Sequence, residues 1–282
     1  MTKKAVLIGV NRYRMPGADL RGCVNDVKNM RTLLTSRYDF RAADISVLTD
    51  FAATKKAIET AIRSLIRGAR SGDVVLVHFS GHGSNVPDND GDEADKRDEI
   101  LCPSDLDWKK PLRDDWLRST FDSLRSGVSL TVITDCCHSG TITRAVQPPD
   151  ARTIERFLPS PWDLVAEESG RALRGKTRAT VRRSSQTARN KKDVVAVTEM
   201  PEMLITGCRD KQTAADAWIK GSYNGALTYH LVQSLSKAKR TLTYREVHSL
   251  TSSALKSGGY EQVPQLEGAR DRFDAPFLSA ME

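Results

Sequence analysis

Two short stretches of the sequence carry residue types that could do covalent chemistry. "DCCHSG" (135–140) sets two thiols side by side, followed by His138, and "HFSGHGS" (78–84) holds His82 between Gly81 and Gly83. A thiol becomes a strong nucleophile once a base takes its proton. Backbone N–H groups of tight glycine turns can then stabilise the oxyanion formed when it attacks a carbonyl. An imidazole beside one glycine turn and a cysteine beside another is the arrangement such a pair requires. His138 is a poor base for its neighbour Cys137, because adjacent side chains on extended backbone point to opposite sides. Which of Cys136 and Cys137 reacts is left open by the spacing alone.

Both stretches follow runs that read as buried strands. "KAVLIGV" (4–10), "DISVLT" (44–49), "DVVLVHFS" (73–80) and "SLTVITD" (129–135) alternate with segments whose apolar residues recur at helical spacing. Val24, Val27, Met30, Leu33 and Leu34 make one such face, and Ile58, Ile62, Leu65 and Ile66 another. A third helix is expected over "RDDWLRSTFDSLRSG", closed by Gly127. Near-continuous apolar strands alternating with helices predict a mainly parallel sheet covered on both faces. In such sheets function gathers at the carboxyl ends of the strands, where His82 and the cysteine pair fall. Regularity lapses over 145–195 and resumes with "EMLITGC", two helical segments and "QVPQLEG". The chain is therefore expected to be one domain over 1–282 that carries 145–195 as a flexible basic insertion.

Composition narrows the class. The longest apolar runs are strand-sized, well short of the roughly 20 residues a bilayer-spanning helix needs. The N-terminal apolar run is read as a first strand and not as a leader. Five cysteines at positions 23, 102, 136, 137 and 208 form no regular framework, which predicts a reducing, cytoplasmic setting. Cys23, Cys102 and Cys208 read as small buried apolar residues. The net charge of +7 resides in one place: nine basic residues and no acidic one lie between Arg171 and Lys192. Without them the basic count falls from 43 to 34, against 36 acidic residues. Such a composition does not describe a uniformly basic nucleic-acid-binding surface.

Two other motifs bear on chemistry. "GRALRGKT" (170–177) matches the phosphate-loop pattern letter for letter, but no strand precedes it and arginine-rich sequence follows. The acidic loop "PDNDGDEADKRDE" (87–99) is not an EF-hand, since Glu93 stands where that loop requires glycine.

Taken with "GCVNDV" (22–27), "DEILCPSD" (98–105), "DDWL" (114–117), "ITGCRDKQTAAD" (205–216) and "NGALTYHLVQSL" (224–235), the two glycine-flanked stretches resemble the metacaspase and orthocaspase branch of the caspase-like cysteine peptidases. The 55-residue separation of His82 and Cys137 is close to the roughly 50 of caspases. The resemblance implies a caspase-like α/β fold with a mainly parallel six-stranded sheet and helices on both faces. It implies His82 as general base, Cys137 as nucleophile, and the N–H groups of Gly83 and Cys137 as the oxyanion hole. Cys136 is then expected to face away and pack. Cleavage after Arg or Lys is implied through Asp26 and Asp135, with Cys23 and Ser80 lining the same pocket. Two carboxylates at one cleft favour a guanidinium held between them, although an Asp at a helix start also commonly serves as a cap.

The family's calcium site maps to Asp98, Asp114 and Asp115, but Arg144 stands where a further acidic ligand is expected. No cofactor is expected to be required, and calcium stays an open alternative that the cation at Arg144 disfavours. An arginine-rich loop beside an Arg/Lys-directed cleft is a candidate processing site, making the chain a zymogen activated by itself or by another protease. The expected partners are protein or peptide substrates with Arg or Lys before the cut bond, with no membrane partner. The competing reading is a catalytically silent interaction module that binds partners or nucleic acid through 171–192.

Overall fold

The computed structural model describes residues 1–88, 97–137, 152–165, 194–196, 200–209 and 212–281. Its centre is strand β3 (Val74–Ser80), every residue of which is buried. It lies between β1 (Lys3–Gly9) and β7 (Ser129–Asp135), paired in parallel with both. Beyond β1 lies β2 (Ile45–Thr49), and beyond β7 lies β10 (Glu202–Thr206), again parallel. Antiparallel β13 (Gln265–Gly268) continues the sheet, and the short β9 (Val194–Ala196) adds a seventh strand outside the expected six, in the order β2-β1-β3-β7-β10-β13-β9.

Alternation along the strands builds two separate apolar layers, since successive side chains face opposite ways. Ala5, Leu7, Val74, Leu76 and Ile133 pack on one face with helices α1 (Cys23–Arg37), α4 (Ala226–Lys237) and α5 (Tyr244–Ser257). Val6, Ile8, Val75, Val77, Phe79 and Val132 pack on the other with α2 (Lys55–Gly68) and Phe121 of α3 (Asp114–Asp122). This is the three-layer α/β arrangement expected. Helix α3 is shorter than expected: it stops at Asp122, and Gly127 (φ 78°) instead shapes the turn into β7.

Two small antiparallel sheets have no counterpart in the periodicity. One joins β4 (Gly83–Pro87), β5 (Arg97–Leu101) and β6 (Leu112–Arg113). The other joins β8 (Thr153–Glu155), β11 (Ala215–Ile219) and β12 (Ser222–Gly225). Strand β8 lies inside the stretch expected to be a flexible insertion. Within residues 152–165 of that stretch, Arg156, Phe157, Ser160 and Asp163 are buried, Arg156 and Ser160 fully.

The register of the main sheet places the chemistry. Ser80 and Asp135 are aligned partners at the carboxyl ends of β3 and β7. His82 and Cys137 each follow two residues later, at the same end of the sheet.

Candidate active site

Asp26, Asp135 and Ser80 meet at the carboxyl end of the sheet, and the side chain between them is Arg156 of the same chain. Its guanidinium is fully buried. Nη2 donates to Asp26 Oδ2 at 2.8 Å and to Asp216 Oδ1 at 3.2 Å. Nη1 donates to Ser80 Oγ at 2.8 Å and to the Asp135 carbonyl at 3.0 Å, with Asp135 Oδ1 at 3.4 Å. Charge-assisted bonds of this kind are among the strongest in proteins.

Each carboxylate is held by its own element. Asp26 lies in the first turn of α1, where Gly22 occupies the cap position, so capping is not its role. It accepts from Ser80 Oγ at 2.8 Å and from the Gly225 N–H at 2.9 and 3.0 Å. Asp135 Oδ2 accepts from the Thr228 N–H at 2.8 Å, one of the free donors at the start of α4. Asp216, on β11, is fixed by the Arg21 N–H at 2.7 Å. Cys23 is buried at the start of α1 and its thiol is pushed well up by burial, with Arg156 pulling the other way.

Three carboxylates around one cation leave excess negative charge out of water. Burial accordingly pushes Asp26 up to about 7, against the pull of Arg156 and with Asp135 adding to the push. For Arg156 burial works against the charge, but Cys23, Asp135, Asp26 and Asp216 outweigh it and hold its proton more firmly.

The main chain of Arg156 is held as specifically as its side chain. Its carbonyl oxygen accepts from the Gly83 N–H at 3.0 Å and the Cys137 N–H at 3.2 Å, the two groups expected to form the oxyanion hole. Strand β8 lies antiparallel along β11, and the Arg156 N–H donates to the Ala214 carbonyl at 2.9 Å. A side chain at Gly83 would collide with the Cys137 carbonyl, so this close approach requires glycine.

Cys136 and Cys137 separate as expected. Cys136 joins the apolar layer beneath the sheet, whereas Cys137 contacts Phe157 and Ala214 on the cleft side. The Ala214 N–H donates to Cys137 Sγ. Burial, with Cys208 beside it, pushes the Cys137 thiol well up, and the Ala214 N–H opposes this. Cys208, expected to be a buried apolar residue, is only partly buried and packs against the same small cluster.

His82 Nε2 lies 2.9 Å from the Ala18 carbonyl, which can only accept, so Nε2 carries the hydrogen. Nδ1 is then the bare nitrogen, buried and without a hydrogen bond. Burial pulls the ring down to about 4, opposed by the Ala18 carbonyl and aided by the Arg156 charge. Tyr13 fixes the backbone here, its hydroxyl accepting from the His82 N–H at 2.8 Å.

The acidic residues expected to bind calcium lie on two elements, β5 and α3. Asp98 is buried and paired with Arg113, and Asp114 and Asp115 open α3. Among the described residues no group of three or more His, Cys, Asp or Glu could hold a metal. A cation already paired with Asp98 does not suit a calcium cage. Arg144, His138, the 170–177 phosphate-loop match and the basic 171–192 run lie outside the described residues. No helix among those described is long and apolar enough to cross a membrane.

Asp216, Gly225 and Arg156 were not singled out by the sequence. Asp216 closes the motif "ITGCRDKQTAAD", so the only signal for it was its place at the end of that run.

Residues 3–145 match the family model described as "Metacaspase, peptidase C14 domain". The chain is 33% identical to Metacaspase-1 of Pyricularia oryzae, over 94% of this chain and 71% of that protein. It is 32% identical to Metacaspase-1A of Aspergillus oryzae, over 99% of this chain and 71% of that protein. In fold it is similar to the crystal structure of protein GSU0716 from Geobacter sulfurreducens, with a TM-score of 0.69, 23% identity and full coverage of both chains.

Proposed function

Because the chain belongs to the metacaspase family of peptidase C14 domains, we propose that it is a cysteine endopeptidase that cuts after Arg or Lys, and that its own Arg156–Phe157 bond is the first it cuts. One observation carries this reading. Arg156 sits with its guanidinium among Asp26, Asp135 and Asp216 while its carbonyl oxygen rests on the Gly83 and Cys137 N–H groups. A basic side chain in a carboxylate pocket, with the adjoining carbonyl on two donors beside a thiol, is the pose of a bound substrate.

In the proposed reaction His82 Nδ1 takes the Cys137 proton and the thiolate attacks the Arg156 carbonyl carbon. The negative charge that develops on oxygen is met by the Gly83 and Cys137 N–H groups. The C–N bond to Phe157 breaks, and His82 returns the proton to the leaving amine. Water then attacks the thioester, with His82 as base, and restores the Cys137 thiol. No cofactor enters these steps. Until the bond is cut and residues 153–156 withdraw, the pocket is closed to other substrates. Cleavage within the 145–195 stretch thus regulates the enzyme.

The test is a panel of fluorogenic peptides with Arg, Lys or Asp before the cut bond, given to the self-cleaved enzyme with and without calcium. Turnover after Arg and Lys, none after Asp, and equal rates in calcium and chelator are expected. Cleavage after Asp, or none after Arg and Lys, overturns the reading.

Gly225 is a second probe of the pocket. A Cβ there would collide with Asp135 Oδ2 and with the Arg156 guanidinium. Gly225→Ala should displace a bound guanidinium by about 1 Å and lower kcat/KM for Arg peptides by roughly a hundredfold. An unchanged melting temperature would separate this from misfolding.

A further inference from the structure

We infer that the cleft has a second selective subsite, on the far side of the cut bond, and that it takes a large apolar, preferably aromatic, residue directly after the basic one. The inference rests on the proposed reading that Arg156–Phe157 is held as substrate. Phe157 is 6% exposed and its ring lies against Cys137 and Ala214, with Cys208 packed at the edge.

The backbone around it is fixed in a way that leaves only its side chain to be selected. Gly83 grips the chain on both sides of Phe157, donating its N–H to the Arg156 carbonyl and accepting from the Leu158 N–H, each at 3.0 Å. Phe157 and Gly83 are thereby bridged in parallel fashion, continuing the edge of β4. Such main-chain bonds form with any residue, so discrimination falls to the pockets beside them. The walls of this one belong to Cys137, whose N–H holds the carbonyl, and to Ala214, whose N–H reaches the Cys137 sulfur. A substrate seated correctly for attack must therefore place its next side chain here. A charged residue would lose its hydration against a thiol and a methyl group, with no partner to replace it. After the cut, Phe157 becomes a new amino terminus, and its ammonium group in the same nook favours departure and opening of the subsite.

Internally quenched peptides Thr-Ile-Glu-Arg-Phe-Leu, and the same sequence with Trp, Gly or Asp in place of Phe or with Ala in place of Arg, test this. They are given to the self-cleaved wild type, with Cys137→Ala as the blank. The Phe and Trp peptides should exceed the Gly and Asp peptides in kcat/KM by roughly ten- to a hundredfold, the worth of burying one aromatic ring. Equal rates for Phe, Gly and Asp, with the Ala-for-Arg peptide uncut, would overturn the subsite and leave the Arg/Lys reading standing. Turnover of the Ala-for-Arg peptide would overturn both.

Discussion

Wild-type protein incubated at neutral pH is expected to divide into residues 1–156 and 157–282, whereas Cys137→Ala stays whole. Loss of the nucleophile alone should slow the cut by roughly a thousandfold or more. Cys136→Ala should divide at close to the wild-type rate, because Cys136 packs in the apolar layer under the sheet and not in the cleft. Arg156→Gln keeps a long polar side chain but brings no positive charge to Asp26, Asp135 and Asp216. Truncating one partner of a buried charge cluster weakens it by roughly 2–5 kcal/mol, so this variant should remain uncut at that bond on the same timescale. Arg156→Lys restores the charge and should be cut again, which shows that Arg156→Gln has not simply failed to fold. The check is mass spectrometry of the products. A cut elsewhere in 145–195, with Arg156–Phe157 intact, would show that the buried pose is an inhibitory one that the enzyme does not process.

That prediction depends on parts of the site that differed greatly in how well the sequence revealed them. His82 and Cys137 were legible because each directly follows a strongly apolar strand, and parallel strands place their carboxyl ends together whatever the intervening chain does. Asp26, Asp135 and Ser80 were implied by the family resemblance, and the register of β3 with β7 and the first turn of α1 bring them together. Asp216 and Gly225 face each other at the open end of the short β11–β12 hairpin, and only the pairing of β11 with distant β8 brings Arg156 to them. Three-residue β8 has no periodicity to detect, since it is held by pairing with β11 and by the burial of Arg156. Among so many arginines, nothing local marks this one. What sets it apart is the convergence of three carboxylates from α1, β7 and β11 on its guanidinium.

The convergence of three carboxylates on one cation also predicts an unusual pH dependence. Asp26 is pushed up to about 7 chiefly by burial, so near neutrality it exchanges between a neutral acid and a carboxylate. A guanidinium binds the carboxylate better than the acid, so binding and ionisation favour each other. About 7 is the value with a guanidinium in the pocket, and an empty pocket lacks that downward pull, so KM for Arg peptides on the self-cleaved enzyme should fall as pH is raised above about 7. With residues 153–156 in place burial pulls the His82 ring down to about 4, and the Asp26→Asn variant separates any titration of His82 from that of Asp26. Asp26→Asn removes the titrating group. It should raise KM for Arg peptides by roughly a hundredfold or more and flatten the pH profile above about 7. Asp216→Asn should weaken binding too, since it removes a carboxylate at 3.2 Å from the guanidinium. In that variant the pH dependence above about 7 should persist, because Asp26 is still present. The measurement is steady-state kinetics from pH 5.5 to 9 on the wild type and both variants, with melting curves to confirm folding. If KM for the wild type is flat across that range, Asp26 does not change its protonation state there and the predicted coupling is overturned. If Asp216→Asn is indistinguishable from wild type, Asp216 braces the Arg21 backbone and plays no part in choosing the substrate.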